Sequence, residues 1–227
     1  MDDPIKIETR RRILSENKLK IGAEIYSESL ISKLLKKDID FLQLAKITES
    51  NNYINNYELK LFREIPEEIH HNYLDCEKEA SIGINEFRPI KRKASEYTMN
   101  DLLTRILNMK NVNEIFYMYV IFDKEEIAAL CSVSIFMIDK KPFIEHTGNL
   151  TFVRKNYRGK NFAKYLKAKM YLKILEDHPD FELILTDTYP WNKYMYKINE
   201  ELGFKPYQKG YKFKFTKEFL EKFTNEN

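Results

Sequence analysis

Gly148-Asn149-Leu150-Thr151-Phe152-Val153-Arg154-Lys155-Asn156-Tyr157-Arg158-Gly159-Lys160-Asn161-Phe162-Ala163 is the stretch on which the reading of this chain turns. Leu150 to Val153 reads as the end of a strand. A short polar turn follows, carrying Arg158, Gly159, Lys160 and Asn161, and a helix is expected from about Phe162. The first N–H groups of a helix lack intrahelical acceptors, and the helix dipole places partial positive charge there. A strand that runs through a basic, glycine-containing turn into a helix start is therefore a place to hold a phosphate.

Downstream, Ala163, Leu166, Met170 and Ile174 recur at helical spacing, with Lys164, Lys167 and Lys173 read as lying on other faces. His178-Pro179 ends that helix, and Phe181 to Thr186 reads as a short buried strand. Strand, helix and strand in this order call for a right-handed crossover, which makes the Phe181 strand parallel to the one ending at Val153. A second helix, Asn192 to Leu202, stops at Gly203, and two strands are expected after it, Phe204 to Gln208 and Tyr211 to Phe215. Upstream, Ile115 to Phe122, Ile127 to Ile138 and Phe143 to Val153 form three strands joined by short polar connections, as hairpins require. The fold class is α/β, a mixed sheet in which an antiparallel meander is followed by a parallel βαβ unit.

Before the meander, Tyr57 to Leu61 alternates apolar and charged residues like a half-buried strand. Pro66-Glu67-Glu68 starts a helix running towards Ala80, and Thr98 to Asp101 caps another over Leu102 to Met109. In the first 52 residues, Glu8 to Glu16 and Ser29 to Lys37 read as helices and Leu19 to Tyr26 as a strand. The polar run ESNNYINNY from Glu49 divides the chain into an arm (1–52), a main domain (53–216) and a tail (217–227).

With 227 residues, 43% of them hydrophobic, the chain can bury a sizeable core. Its 38 basic and 35 acidic residues are too evenly matched to favour nucleic acid as a partner. Cys76 and Cys131 make neither a disulfide framework nor a metal cluster. The N-terminus has no apolar signal core, and Ile127 to Ile138 is about half of a bilayer span. A reduced cytoplasmic compartment is expected, with no membrane partner.

Two segments resemble the GNAT superfamily of acyl-CoA N-acyltransferases. Val153 to Ala163 is similar to the family's V-x-P-x-[YH]-R-G-x-G-x-[GA] pyrophosphate loop, with Lys155 at the usual Pro and Asn161 at the middle Gly. Asn192, Met195, Asn199 and Leu202-Gly203-Phe204 resemble its last core helix, in a form often found in tandem GNAT proteins. On that analogy residues 1–52 would be a remnant of a preceding half. The resemblance implies an N-acetyltransferase that moves an acetyl group from acetyl-CoA to a primary amine by direct transfer, without a metal. The acceptor would be a small molecule or peptide, and a homodimer is among the assemblies open to it. It implies cofactor contacts at Phe152, Val153, Arg158, Gly159, Lys160, Asn161, Phe162, Ala163, Asn192 and Asn199. The alternative is a non-catalytic CoA-binding or interaction module with a degenerate site. A third reading, an RNA-binding accessory protein, would need the basic residues to converge on one face.

The catalytic groups are the open question. Many relatives carry a Tyr where this chain has Asn199, which cannot give a proton to a leaving thiolate. Tyr196, one turn earlier, is the candidate acid, ahead of Tyr189 and Tyr194. Glu145 and His146 precede the loop, and in an unbroken strand only Glu145 shares a face with Val153, which makes it the candidate base. A solvent-facing glutamate is the plainer alternative. Thr147 occupies another base position of the family but cannot serve alone. Trp191 could line an acceptor pocket or simply pack. The pair His70-His71 reads as surface histidines, and Arg10-Arg11-Arg12 and Lys91-Arg92-Lys93 as solvated charge.

Overall fold

The structure, a computed structural model, describes residues 23–84, 93–112, 114–146 and 150–215. The strands are β1 (Ala23–Leu35), β2 (Glu58–Phe62), β3 (Ile115–Asp123), β4 (Glu126–Ile138), β5 (Lys141–Glu145), β6 (Thr151–Val153), β7 (Leu183–Thr188) and β8 (Lys205–Phe215). The helices are α1 (Phe41–Glu49), α2 (His70–Ile84), α3 (Met99–Asn111), α4 (Phe162–Asp177) and α5 (Lys193–Glu201). All eight strands form one sheet in the order β2-β3-β4-β5-β7-β1-β8, with β6 paired to β4. The meander β3-β4-β5 is antiparallel and β5 runs parallel to β7, so the expected fold class holds.

Each sheet face has its own core. On one, α1 and α4 bury Leu44, Phe162, Leu166 and Met170 against Tyr119, Cys131, Ile144 and Ile184. On the other, α2 and α3 bury Tyr73, Leu74 and Leu102 against Phe116, Met118, Leu130 and Phe152. Helix α3 starts at Met99 with the expected cap: the Asp101 N–H donates to Thr98 Oγ1 (3.2 Å) and the Thr98 N–H to Asp101 Oδ2 (3.3 Å).

Three expectations are corrected. Ser29 to Lys37 is not a helix; it is the end of β1 and the start of a 3-10 turn at Lys36–Asp38. This strand lies between β7 and β8, with Ser29, Ser32 and Leu34 buried, so it lacks the alternation of a strand with one wet face. Residues 23–52 are consequently no separate arm: β1 is internal to the sheet, and α1 packs on α4. Finally, 205–215 is a single strand, not two. Gly210 is a point of close approach within it, since a Cβ there would come within 2.7 Å of Ser29 Oγ. The Glu8–Glu16 helix, the triple-arginine run, Lys91, Arg92, the tail from 216 and any remnant in 1–22 lie outside the described residues.

Candidate active site

The strand expected from Phe143 to Val153 is broken, and the break makes the site. Glu145 pairs with Ser134 and Thr151 with Cys131, so six steps of chain on one side face three on the other. An odd excess flips the alternation. Glu145 therefore shares the α2/α3 face with Phe152, and not with Val153 as an unbroken strand would have it. Thr147 lies outside the described residues.

Up to the break, β5 and β7 are joined through Ile144–Ile184, Glu145–Leu185 and a bond from the His146 N–H to Leu185 O (2.8 Å). Strand β6 pairs with β4 and not with β7, so past Leu185 β7 has only β1 as a strand partner among the described residues. The Ser132 N–H bonds Leu150 O and the Arg154 N–H bonds Ala128 O, which makes Leu130–Phe152 the hydrogen-bonded pair between them. Phe152 spends its backbone groups on β4. Thr151 and Val153 present theirs to the open edge, where Val153 O accepts from Arg158 Nε, so of the edge expected at Phe152 and Val153 only Phe152 is replaced, by Thr151.

The turn at the end of β6 is an anion cradle. Among the described residues, no acceptor takes the N–H groups from Gly159 to Lys164. Gly159 has φ +83° and Asn161 φ +58°, left-handed values that Gly and Asn accept most readily. Asn161 is the N-cap of α4 but makes no side-chain cap bond, and Phe162, 1% exposed, anchors the helix start in the core. The turn is braced from two sides. Asn51 Nδ2 donates to Lys160 O (3.1 Å), and the Lys155 N–H, which a proline would lack, donates to Glu79 Oε1 of α2 (3.1 Å). Arg158 is exposed and donates from Nε to Val153 O (3.3 Å). Lys160 is turned inward, its ammonium bonded to the Tyr57 hydroxyl and 4.9 Å from that ring's centre. A pocket of about 390 Å³ adjoins the cradle, lined by Ser50, Asn51, Asn52 and Tyr53 together with Asn161, Lys164 and Tyr165. Replacing Asn161 by Val should lower stability by about 1–2 kcal/mol, and by Gly much less, because only the β-branched side chain resists the left-handed backbone. Equal melting temperatures for the two variants would contradict that conformation.

On the α2/α3 face, Glu145 is half-buried. Burial first, and then the Asp187 and Glu114 carboxylates, raise its pKa above the usual glutamate range. Ser134 Oγ donates to Glu114, which completes an acidic group at the β5–β7 end of the sheet. Tyr196 does not join it: the hydroxyl is tied to Glu200 on its own helix, and that charge is the main reason its pKa is raised. Tyr194 is 88% exposed, and Tyr189 stacks on Trp191 with centroids 5.0 Å apart. Asn192 caps α5 through the Met195 N–H (3.1 Å). Asn199 is 3% exposed and donates from Nδ2 to Thr188 Oγ1 (2.9 Å); its Oδ1 is buried with no partner among the described residues. His70 is buried, not on the surface, and bonds Ile65 O (2.9 Å).

The α4 face of the splay holds two groups that the sequence reading set aside, His146 by strand parity and Lys167 by assigning it to another face of its helix. His146 is buried, with Nε2 2.9 Å from Thr151 Oγ1 and Nδ1 3.2 Å from the Tyr171 hydroxyl; burial holds its pKa well below the ordinary histidine value. Lys167 is 1% exposed, and burial pushes its pKa down to about 8. It is four residues after Ala163 and four before Tyr171, a spacing that places it on the buried face. Among the described residues no group of three or more His, Cys, Asp or Glu is placed to hold a metal, both cysteines are free, and no helix is long and apolar enough to cross a membrane.

A mixed sheet splayed beside a helix-start cradle is the architecture of the GNAT N-acetyltransferases, and comparison with solved structures shows that fold. The chain is similar to a tandem GNAT protein from the clavulanic acid biosynthesis pathway, at 18% identity and TM-score 0.67, over 88% of this chain and 56% of that one. It is also similar to a GCN5-related N-acetyltransferase-like protein from Streptococcus suis, at 15% identity and TM-score 0.51, over 90% of this chain and 67% of the other. An aminoglycoside acetyltransferase from an uncultured soil metagenomic sample, in complex with sisomicin, matches at 13% identity and TM-score 0.50, over 71% of this chain and 97% of its own. The chain thus spans little more than half the length of the tandem protein. No family model and no curated protein matches it.

Proposed function

We propose that the protein is an acetyl-CoA-dependent N-acetyltransferase acting on a small primary amine. The observation that carries this is the run of N–H groups from Gly159 to Lys164 without acceptors, set at the end of an open strand edge. Backbone donors at a helix start fit a pyrophosphate, with Arg158 beside them as an exposed cation. The neighbouring pocket at Asn51 and Tyr53 suits the nucleotide end. Thr151 and Val153 offer an extended edge to the pantetheine amides. The buried, unpartnered Oδ1 of Asn199 offers an acceptor further along the splay.

Glu145 is read as the base. It faces the side lined by α2 and α3, and its raised pKa makes it a better proton acceptor than an ordinary carboxylate. With Glu114 and Asp187 it would draw in a cationic amine, which is the chemistry of the aminoglycoside that the metagenomic relative's complex contains.

Calorimetry with coenzyme A and acetyl-CoA should give saturable binding, and silence at high micromolar ligand would overturn the reading. Arg158→Glu should weaken that binding about five- to tenfold, the modest effect of reversing an exposed charge; unchanged affinity would move the pyrophosphate elsewhere. A binding-only module would bind acetyl-CoA yet release no thiol across a panel of aminoglycosides, polyamines and aminoacyl esters.

A further inference from the structure

Direct transfer needs a proton for the departing thiolate, and neither Asn199 nor Tyr196 is placed to give one. We infer that Lys167 donates it, from the sheet face opposite Glu145. The inference rests on the N-acetyltransferase reading and adds to it a second catalytic residue.

Position is the first argument. The Lys167 ammonium stands 5.8 Å from the Tyr171 ring centre and 5.6 Å from that of Phe204. The Tyr171 hydroxyl in turn lies 3.2 Å from His146 Nδ1, and His146 Nε2 lies 2.9 Å from Thr151 Oγ1 of β6. Thr151 is the partner of Cys131 in β4 and stands in one of the strands that separate. The ammonium therefore lies over the splay on the α4 side, while Glu145 lies on the α2/α3 side.

Charge is the second argument. Lys164 and Lys173 of the same helix pair with Glu201 (2.6 Å) and Asp177 (2.8 Å), whereas Lys167 has no ion-pair partner among the described residues. The titratable groups of the α4 layer beside it, Cys131, Tyr171 and His146, are neutral near pH 7. Burial pushes the Cys131 thiol up to about 11 and the Tyr171 hydroxyl well above its ordinary value, and it holds His146 well below. Among the described residues, Asp187 of β7 is the carboxylate whose charge acts on it, without an ion-pair contact. An ammonium buried without a contacting carboxylate is costly, and an anion arriving beside it offsets that cost. The thiolate is that anion.

The step balances. The amine first gives one proton to solvent; the neutral nitrogen then bonds the acetyl carbon and loses a second proton to Glu145, while the carbon–sulfur bond breaks with its electron pair on sulfur, which takes a proton from Lys167. The neutral amine of Lys167 is then reprotonated from solvent, and Glu145 returns its proton there. Burial brings Glu145 up and Lys167 down, which moves both towards the pH at which they exchange protons.

The test is the ionisation of coenzyme A bound to the full-length protein, read from the ultraviolet absorbance of its thiolate as pH is raised. Lys167 should raise the ionisation constant of the bound thiol about tenfold or more over free coenzyme A. Lys167→Met, close in volume and without charge, should abolish that difference while coenzyme A still binds, and should melt no earlier than the wild type. Failure of the wild type to bind coenzyme A overturns both readings. Binding with an unshifted thiol, or a shift that survives Lys167→Met, overturns the role of Lys167 alone. Where Lys167→Met does not fold, Lys167→Gln makes the same comparison.

Discussion

Glu145→Gln should lower kcat about 100- to 10,000-fold, the range for loss of a general base, and leave coenzyme A affinity unchanged. The amide would keep the shape and hydrogen-bonding capacity of the carboxylate but accept no proton from the amine. The wild-type rate should fall as pH drops through the raised pKa of Glu145, so the acid limb lies above the ordinary glutamate range. Stability runs the other way. A carboxyl whose pKa is higher folded than unfolded binds its proton more tightly in the native state, so it favours folding below that pKa and costs stability above it. At neutral pH Glu145→Gln should therefore melt higher while working slower. A variant that loses stability together with activity would make Glu145 a structural residue. A variant that keeps full activity would return it to the plainer reading of a glutamate near a strand end.

The parts of this fold legible from sequence are those whose signal is local. The β3-β4-β5 meander, α4 starting at Phe162 and the stop of α5 at Gly203 (φ +90°) follow from apolar runs, polar hairpins and a glycine that must go left-handed. What was not legible depends on distant partners. Leu30, Ile31, Leu34 and Leu35 have helical spacing, and only the flanking β7 and β8 make the segment a strand. The residues between Glu145 and Thr151 carry no mark of an odd excess over β4, so the face of Glu145 could not be set from parity. Lys167 was readable in principle. Its spacing from Ala163 and Tyr171 places it inward, but a lysine is ordinarily given to solvent, and the residue type outweighed the geometry. The two misreadings concern the two groups proposed to move protons, in keeping with sites that depart from local rules for chemical reasons.

Leu34→Ala should destabilise the protein by about 2–5 kcal/mol, as large-to-small changes in a closed core do. Leu34 is fully buried in β1, pairs in register with Ile184 of β7, and its Cδ1 lies 3.3 Å from where a Cβ on Gly203 would be. The side chain therefore supports both the β7 wall of the splay and the turn that ends α5. Leu42→Ala on α1 is the control: at 84% exposure it should change stability by no more than about 0.5 kcal/mol. Denaturant midpoints read the difference, with an unchanged slope showing that the unfolding unit is the same. If β1 were a dispensable arm, the two substitutions would be equally mild. A large loss at Leu34 alone makes the N-terminal strand part of the wall that carries Thr188 and Asn199. Coenzyme A should then protect the wild type more than Leu34→Ala, since bound ligand stabilises only to the extent that the native site is intact. Equal protection of both proteins would separate the β1 core from the cleft and leave the strand a purely structural part.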